Sequence, residues 1–585
     1  MLVGCGGPGP VRTSEPSAAP PPAPPLGPPP ASPPAPQAVI LLSGGRSTGP
    51  APFVGRLDAS SSTCAGGACS SIDWDFGDGT PRGSQVQVSH TYPSPGVFTV
   101  ALRVFDGAGR TGTSTATITV ETPPSANPIV VENAHPGDAW EITRAAKPGE
   151  IEGYAGQVSV QHGESIEIHA RADASHTLTW DVFRMGYYGG AGGRRVANGG
   201  PVQVGPQATP AADPRTGRVE CAWPTTFRVQ TQRDWTSGVY LVRLTRDDGL
   251  QRHVIVVVRA DERKGVAVVQ ASVTTWQAYN NWGGESLYTT STGQPGGFAK
   301  EASFDRPYSD QLGTGEFLYY ESFFVLWAES RGYDLTYATN VDLDRDPALL
   351  DGQKLFLSVG HDEYWSGAER SAVETAISRG VDVAFLGADA LEWQIRLEGS
   401  ATGAARRTEV CYKDINVDPL RGTPLETLHW RSAALGRPEN ELIGVMYDSY
   451  QNQSFPLLVA NSSHWVYAGT GVKDGDALAP IVGYEFDRVF DNGRTPPNLV
   501  VLARSPVVRY DGTPGVHNAS IYTAPSGAWV FAAGTIKWSW GLAGGIGPRS
   551  LADRVVQRMT ANLFERAGLP ASSPGATFGA ALVPL

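Results

Sequence analysis

The chain has 585 residues, with 46 lysines and arginines against 58 aspartates and glutamates, which gives a formal net charge of −12 at pH 7. This length exceeds what one hydrophobic core supports and predicts roughly three to four domains, while the negative charge disfavours a nucleic-acid partner because phosphate binding requires a basic surface. The sequence contains no run of about 18 apolar residues, so it predicts no membrane-spanning helix.

Residues 1–36 predict an anchor and a linker rather than a folded domain. The letters LVGC at positions 2–5 resemble a bacterial lipobox, in which the cysteine is lipidated, so Cys5 is a candidate membrane anchor. The charged and apolar regions of a signal peptide do not precede it, and a chance match is the alternative. Residues 16–36, PSAAPPPAPPLGPPPASPPAP, predict a polyproline II spacer of about 60 Å at ~3.1 Å per residue. We expect either a spacer that holds later domains off a membrane or a tail without function.

The five cysteines are few for this length. Cys64 and Cys69 flank AGGA and are close enough in sequence to close a small disulfide loop. Cys221 and Cys411 can pair only if the fold brings them together. Free thiols at all of these positions are the alternative.

Residues 37–122 predict an immunoglobulin-like β-sandwich, because stretches such as VFTVALRVFD and TSTATITV alternate with period two between turn residues. IDWDFGDGT (72–80) and HTYPSPGVFTVALRV (90–104) resemble a polycystic-kidney-disease (PKD) domain. We expect Trp74 and Phe76 to point into the sandwich and Asp78 with Gly79 to form a tight turn. The resemblance implies a spacer or glycan-contacting module of a secreted protein, hence an extracytoplasmic location and polysaccharide contact through this domain.

Residues 123–262 predict a second β-sandwich. SIEIHARA, LTWDVFRMGYY, GVYLVRLTR and RHVIVVVRA are strand-like, and no helical period occurs among them. The glycine-rich segment 186–195, GYYGGAGGRR, is not followed by a helix pattern, so we interpret it as a surface hairpin rather than a phosphate-binding loop.

Residues 263–585 predict an α/β domain, because strand and helix patterns alternate. GVAVVQASV, YDLTYAT, KLFLSV and VDVAFLG predict strands. A helix is expected from about residue 315 to a C-terminal end at Gly332. Later, SHWVYAG and GAWVFAAG are β-rich, and RVVQRMTANLFERAG predicts a closing helix.

Four polar or ionisable residues, 361–364, directly follow the strand KLFLSV. Ser366 and Glu369 form a capping box, so a helix starts right after Trp365, and residues 361–365 lie in a strand-to-helix turn. Open α/β sheets bind ligands at the carboxyl ends of their strands. Tyr279 and Asp389 follow two other predicted strands, so we expect polar groups from three strand ends to meet there. Helix caps and core tyrosines are the alternative explanation.

The chemistry of this turn favours a metal over a covalent nucleophile. No cysteine or serine occupies its tip, and no G-x-S-x-G elbow lies near a strand end. Carboxylate, imidazole and phenol groups together suit a hard metal ion that activates water.

Five segments in the second half resemble, in order, the large (beta) subunit of N,N-dimethylformamidase. The resemblance runs from about residue 127 to the C-terminus. It implies a β-sandwich followed by an amidotransferase-like, Rossmann-like α/β domain with a parallel sheet. The segments are TTWQAYNNWGGESLY (274–288), SFDRPY (303–308), WAESRGYDLTYATNVDLD (327–344), GHDEYWS (360–366) and VFAAGTIKWSWGL (530–542).

The resemblance also implies a mononuclear iron held by two tyrosines and a glutamate. Carried over by motif, these ligands are Tyr279, Tyr320 and Glu363, with Tyr319 as the alternative to Tyr320 on the helix before WAES. Phenolates and a carboxylate are hard anionic ligands and favour Fe(III). Zinc, or no metal, remains the alternative.

Three further residues are expected to act in catalysis. His361 is the neighbouring acid/base and moves a proton to the leaving amine. Asp389 stands where the family carries an asparagine, and Glu485 in GYEFD is a further acidic position.

The sequence therefore predicts a secreted or surface-anchored, metal-dependent amide hydrolase. Dimethylformamide is a doubtful substrate, because the PKD-like domain and the candidate anchor depart from an intracellular family enzyme that works with a small subunit. A small amide or a glycan-linked amide fits better, and a homo-oligomer is left open. The alternative is a non-catalytic cell-surface adhesion protein that binds carbohydrate through its aromatics, among them 15 tryptophans.

Overall fold

The computed structural model of the chain describes residues 33–42, 47–50, 53–94, 96–121, 127–294, 296–544 and 551–572. Cys5 and residues 16–32 of the predicted spacer lie outside this part of the chain, so the anchor and the linker stay predictions. The chain divides into two compact units between residues 125 and 126, and each unit is described by itself.

The first unit is a β-sandwich whose strands each turn one apolar face inward. Its strands are β1 Leu41–Leu42, β2 Thr48–Pro50, β3 Phe53–Asp58, β4 Ser71–Asp75, β5 Gln87–Tyr92, β6 Gly96–Phe105 and β7 Thr111–Glu121. They form sheets in the orders β1-β3-β5 and β2-β7-β6-β4.

The WDFGDG segment, residues 74–79, occupies the positions predicted for it in this sandwich. Trp74 and Phe76 lie in the core at 0% and 4% exposure. Gly79 has φ +79°, which glycine adopts without strain. The Thr80 N–H donates to Asp78 Oδ1 at 3.1 Å, which closes the predicted turn.

The second unit begins with the predicted second β-sandwich. Its elements are α1 Pro128–Asn133, β8 Ile151–Ala155, β9 Ser159–Gln161, β10 Ser165–Ala172, β11 His176–Met185, β12 Gly193–Val204, β13 Phe227–Gln230, β14 Gly238–Arg246 and β15 Gln251–Arg259. The sheet orders are β13-β10-β8 and β12-β11-β14-β15-β9. Strands β11 and β12 pair antiparallel, so residues 186–195 connect a hairpin, as interpreted from the sequence.

The rest of the second unit is built on a mixed sheet. The strands of this region, which belong to the mixed sheet and to two smaller sheets, are β16 Ala267–Ala271, β17 Glu301–Ser303, β18 Leu335–Thr339, β19 Leu355–His361, β20 Tyr364–Ser366, β21 Asp382–Ala388, β22 Trp393–Glu398, β23 Thr408–Val410, β24 Met446–Phe455, β25 Val482–Arg488, β26 Val500–Val508, β27 Pro514–Thr523 and β28 Trp529–Ala532. Its helices are α2 Val273–Tyr279, α3 Glu321–Ser330, α4 Asn340–Arg345, α5 Gly367–Ser378, α6 Asn440–Ile443 and α7 Arg554–Arg566.

The mixed sheet has the order β18-β16-β19-β21-β28-β27-β26. The pairs from β18 to β28 are parallel, whereas β27 pairs antiparallel with both β28 and β26. All residues of β19 are buried, as expected for a parallel strand covered on both faces. Smaller sheets have the orders β17-β23-β22-β20 and β24-β25. The described chain is thus a mostly β multidomain protein with few helices.

One hydrophobic core joins the second sandwich to the mixed sheet. Leu241 and Val257 from the sandwich belong to the same buried cluster as Val269, Leu335 and Leu357 from the mixed sheet. The boundary expected between residues 262 and 263 therefore falls inside one compact unit.

The cysteines fall into one bonded pair and two separate thiols in the described chain. Cys64 and Cys69 form the predicted disulfide. Cys221 and Cys411 are both buried and unbonded. Cys221 and Cys411, the second possible pair, do not form a disulfide.

Three local predictions are corrected. Helix α3 begins at Glu321 rather than near residue 315, because residues 313–320 form turns in which Gly313 and Gly315 have φ +101° and +56°. SHWVYAG contains the short 3₁₀ helix Trp465–Tyr467 instead of a strand. Residues 364–366 form the short strand β20 rather than part of a turn.

The capping box Ser366–Glu369 is present and starts α5, as predicted. In the described part of the chain, no helix combines the length and the apolar character that crossing a membrane would require.

Candidate functional site

Three neighbouring parallel strands carry the candidate residues to one edge of the mixed sheet. Strands β16, β19 and β21 lie side by side, and His361 at the end of β19 pairs with Ala388 at the end of β21. Asp389 follows β21 directly, and Tyr279 ends α2, the helix that follows β16. Because parallel strands point the same way, these side chains meet at the carboxyl edge of the sheet.

Glu363 is the fixed centre of this group. Its side chain is fully buried. The Tyr279 hydroxyl donates to Glu363 Oε2 at 2.8 Å, and the Tyr288 hydroxyl donates to Glu363 Oε1. The Glu363 N–H donates to Thr275 Oγ1 at 2.9 Å. Tyr288 was not predicted: it lies in a turn-rich segment, and no helical or strand period links it to Tyr279.

His361 lies between three carboxylates. Its Nδ1 is 2.8 Å from Glu316 Oε2, and its Nε2 is 3.3 Å from Glu363 Oε2 and 3.4 Å from Glu485 Oε2. Burial lowers the pKa of His361, but the charges of Glu316 and Glu485 outweigh it and raise that pKa well above its ordinary value. The direction of this shift favours the protonated imidazole of His361, which would hold a transferable proton. Glu316 was also missed, because it sits in the turns before α3.

More carboxyl groups surround His361 than one imidazolium could neutralise, and two of them have raised pKa values. Burial raises the pKa of Asp389 well above its usual range, and the neighbouring charges of Glu392 and Glu363 raise it further. Burial also raises the pKa of Glu485 to about 8, although His361 opposes this shift. Such clusters of shifted carboxyl groups are typical of functional sites.

The backbone at Asp389 explains why only certain residues fit there. Asp389 has φ +51°, a left-handed conformation that aspartate and asparagine adopt more readily than most residues. Its N–H donates to Asp487 Oδ1 at 2.9 Å. This geometry suits either the aspartate of this chain or the asparagine that the resemblance leads one to expect.

Several buried polar atoms in the site have no hydrogen-bond partner among the described residues. They are His361 Nε2, Asp389 Oδ1, Glu485 Oε2 and Tyr364 Oη. Buried polar atoms are usually paired, so a cluster of unpaired ones indicates a site for a ligand. His361, Glu363 and Asp389 each offer a ligand atom, and these atoms lie within 4.8 Å of one another. The donor set is compatible with a metal ion.

Tyr320 lies beside His361 rather than against Glu363. It precedes α3 as the N-cap residue, so it is not inside the helix as expected. Its ring is 6.2 Å from the His361 ring and 6.2 Å from the Trp540 ring. A Cβ at Gly360 would lie 2.4 Å from the Tyr320 Cβ, so glycine there makes room for this ring. Among the described residues, the phenols that donate to Glu363 are those of Tyr279 and Tyr288.

Tyr319, the alternative to Tyr320, is directed differently. Its ring centre is 6.2 Å from that of Tyr320, and its carbonyl accepts the Trp540 indole N–H at 2.6 Å.

Asp362, between His361 and Glu363, has a structural role. Its carboxylate accepts from Gln270 Nε2 at 2.8 Å, Asn340 Nδ2 at 2.9 Å and Ser358 Oγ at 2.7 Å. These bonds tie β19 to β16 and α4. The polar run in residues 361–364 therefore combines site residues with one internal brace.

Lys413 connects the site to a neighbouring cavity. Its Nζ lies 3.7 Å from the centre of the Tyr288 ring and donates to the Leu287 carbonyl at 3.0 Å. Lys413 also lines a cavity of about 1030 Å³ together with Phe298 and Tyr412. Burial would raise the pKa of Glu363, but the hydrogen bond and charge of His361, followed by the positive charge of Lys413, lower it.

Solved structures similar to parts of this chain are PKD domains and β-sandwich modules. The PKD1 domain of Vibrio anguillarum Epp is 32% identical over 16% of this chain and 100% of that chain, with a TM-score of 0.14. The PKD1 domain of the Vibrio cholerae metalloprotease PrtV is 27% identical over 15% and 99%, with a TM-score of 0.13. A promiscuous carbohydrate-binding module from the β-sandwich superfamily is 14% identical over 39% and 86%, with a TM-score of 0.14.

Two family models match the chain. One, the PKD domain, matches residues 39–120, which confirms the resemblance noted in the sequence. The other, described as N,N-dimethylformamidase beta subunit-like, C-terminal, matches residues 179–553 and so spans most of the second sandwich and the mixed sheet with its site. Because this match covers more than half of the chain, the protein belongs to the N,N-dimethylformamidase beta subunit-like family.

Proposed function

We propose that this protein is a metal-dependent amide hydrolase whose active site is the carboxyl edge of β16, β19 and β21. The observation that carries the proposal is the convergence of His361 Nε2, Asp389 Oδ1 and Glu485 Oε2. All three atoms are buried without a hydrogen-bond partner among the described residues, although His361 and Glu485 form an ion pair at 3.4 Å. A purely structural cluster would pair these atoms, because each unpaired buried group costs roughly 1–3 kcal/mol.

Tyr279, Tyr320 and Glu363 would hold the metal, with His361 and Asp389 at its edge. The phenols and carboxylate are hard donors, which favours Fe(III) over zinc. A ferric ion bound there would supply Lewis acidity that polarises an amide carbonyl and makes water more acidic.

The protein's own residues supply the proton transfers. His361 carries a proton on an imidazole oriented by Glu316 at 2.8 Å. In the proposed reaction, His361 gives this proton to the leaving nitrogen, a step that typically contributes ~10²–10⁴-fold. Glu485 and Asp389 are the candidate bases: each accepts a proton from water only in its ionised form, and a raised pKa makes that carboxylate a stronger base.

We propose an amidotransferase-like arrangement for the mixed sheet, in which the strand-to-helix turn carries His361 and Glu363 in place of a nucleophile. The described parallel order β18-β16-β19-β21-β28 supports this, since a site at a carboxyl edge is the common arrangement in such sheets. Residues 263–585 would then be the catalytic part of the chain.

An extracytoplasmic location remains part of the proposal, either secreted or anchored through Cys5. The PKD domain at residues 39–120 supports it. The substrate would be a small amide or a glycan-linked amide, as predicted from the sequence. A homo-oligomer is also retained as a proposal.

The test is metal analysis of the purified full chain, together with its visible spectrum. We expect about one iron per chain and an absorption band from iron–phenolate bonding that disappears in Tyr279→Phe. Tyr412→Phe, a tyrosine of the neighbouring cavity, is the matched control and should keep the band.

A colourless, metal-free protein that releases no amine from formamides, acetamides or N-acetylated sugars would overturn the proposal. If that protein still bound glycans, carbohydrate adhesion would replace amide hydrolysis as the proposed function.

A further inference from the structure

An exposed row of stacked tyrosines lies on the strands next to the candidate site. We call Tyr450, Tyr484 and Tyr510 the tyrosine ridge. The rings of Tyr450 and Tyr510 stack at 4.5 Å with 28° between their planes, and the rings of Tyr450 and Tyr484 are 5.3 Å apart. Tyr510 is 67% exposed and Tyr484 is 37% exposed. Exposed aromatic groups that cluster in this way mark a binding surface more often than single exposed residues do.

The ridge is continuous with the catalytic residues. Tyr484 directly precedes Glu485 in β25, and Tyr450 pairs with Glu485 across β24 and β25. Glu485 Oε2 in turn lies 3.4 Å from His361 Nε2. A ligand bound on the ridge would therefore contact β24 and β25, and β25 also carries Glu485.

The polar groups of the ridge favour a sugar over a lipid or an apolar protein surface. Each tyrosine presents a flat apolar face with a hydroxyl at its rim, an arrangement suited to ligands that are apolar on one side and polar at the edge. Asn452 and Gln453, on the same strand as Tyr450, are exposed and offer amide donors and acceptors. A pyranose ring has this character, with C–H groups on its faces and hydroxyls around its edge.

The charge around the ridge favours a neutral sugar. The chain carries a net charge of −12, and the carboxylates of Glu316 and Glu363 lie in the adjoining site on either side of His361. An anionic polysaccharide would be repelled by these carboxylates.

We propose that the tyrosine ridge is the sugar-binding subsite of the active site, and that the amide hydrolysed is the N-acetyl group of a neutral amino-sugar oligosaccharide. This inference rests on the proposed function. In the reaction, water adds to the acetamido carbonyl carbon and the C–N bond breaks. The acetyl group leaves as acetate, and the sugar nitrogen takes a proton and leaves as an amine. No oxidant or further reactant is required.

The test measures binding and hydrolysis separately with one probe, the tetramer of β-1,4-linked N-acetylglucosamine. Calorimetry of the full chain should give a dissociation constant that rises about tenfold or more in Tyr510→Ala, whereas Tyr510→Phe, which keeps the ring, should bind nearly as the wild type. Because Tyr510 is exposed, Tyr510→Ala should keep the fold, and the thermal unfolding midpoint checks that weaker binding is not caused by unfolding. Acetate release by the iron-loaded wild type is measured in parallel.

Each outcome has a separate meaning. Absence of tetramer binding by the wild type, or binding that Tyr510→Ala leaves unchanged, would overturn the ridge as a sugar subsite. Binding that depends on Tyr510 without acetate release would support the ridge but overturn the N-acetyl substrate. If other amides were cleaved in that case, the proposed hydrolase would stand, and if none were cleaved it would fail as well.

Discussion

Two buried ionic groups in the second unit show how similar composition can serve structure or chemistry. The first, which we call the Arg184 network, joins β11 to α3: Arg184 and Glu329 have fully buried side chains and form a two-pronged pair at 2.8 Å. Glu329 also accepts from Tyr337 and Asn133, each at 2.8 Å. The second group is the candidate site around His361 and Glu363.

The two groups differ in how completely they are paired. In the Arg184 network, one cation matches one anion, and both oxygens of Glu329 have donors. In the candidate site, the carboxyl groups outnumber the one imidazole. Asp389 Oδ1 has no hydrogen-bond partner among the described residues, and Glu485 Oε2 has only its ion pair with His361 at 3.4 Å. A complete network stabilises a single conformation, whereas an incomplete one retains capacity for a ligand. Mutations in the two groups should therefore affect different measurements.

The largest expected effect follows from removing the charge of Glu363. We expect Glu363→Gln to lose at least about 10³-fold in amide hydrolysis and most of its bound iron, because the fixed anionic donor of the site is gone. Folding should persist, since one phenol can donate to the amide oxygen and the other phenol oxygen can accept from the amide NH2. Amine release and elemental analysis are the measurements. The control Glu374→Gln, on the half-exposed face of α5, should match the wild type.

The next effect is on stability alone. Arg184→Met leaves Glu329 buried without its cation and should lower the free energy of unfolding by about 3–5 kcal/mol. Urea titration measures this, and iron content per folded chain should not change. The control Arg195→Met breaks a half-exposed pair on the same hairpin and should lose less than about 1 kcal/mol. If Arg184→Met removed iron but not stability, the two groups would not be functionally distinct.

A pH titration separates the two groups further. Burial raises the pKa of Glu485 from 4.5 to about 8, so the folded chelator-treated protein binds more protons than the unfolded chain between these values. Its free energy of unfolding should therefore fall as the pH rises through this window. Urea midpoints at several pH values should show a shallower fall in Glu485→Gln. Equal slopes in the two proteins would mean that Glu485 titrates normally.

The smallest effect is expected at Tyr288. Tyr288→Phe removes one donor to Glu363 while Tyr279 keeps the other, so hydrolysis should fall about tenfold with little change in stability. Steady-state kinetics measure this, with Tyr412→Phe as the control from the neighbouring cavity. A loss as large as that of Glu363→Gln would show that Tyr288, rather than Tyr320, is the second metal-binding phenol.

Much of the fold could be predicted from the sequence, because strand periodicity and helix capping depend on residues that are close together in the chain. The period-two strands of the PKD domain, the capping box at Ser366 and the alternating strands and helices after residue 265 all depend on neighbouring residues. The edge at which Tyr279, His361 and Asp389 meet could also be predicted, because the ends of parallel strands lie on one side of a sheet.

The remaining site residues could not be found in this way. Glu316 and Tyr288 reach the site from turns, where no periodicity indicates the direction of a side chain. Tyr320 was placed inside a helix because its surroundings are apolar, yet the left-handed glycines before it delay the start of α3. The row of tyrosines on β24 to β26 depends on strand pairing between distant segments, which the sequence alone does not specify.

The core shared by the second sandwich and the mixed sheet limits how this protein can be divided. A fragment starting at residue 263 would leave the cluster of Val269, Leu335 and Leu357 without Leu241 and Val257, and would present that apolar surface to water. Such a fragment should aggregate on expression, and the site would be lost with it. The sandwich and the sheet should therefore fold only as one unit, and a cut near residue 126 should be tolerated where a cut near residue 263 is not.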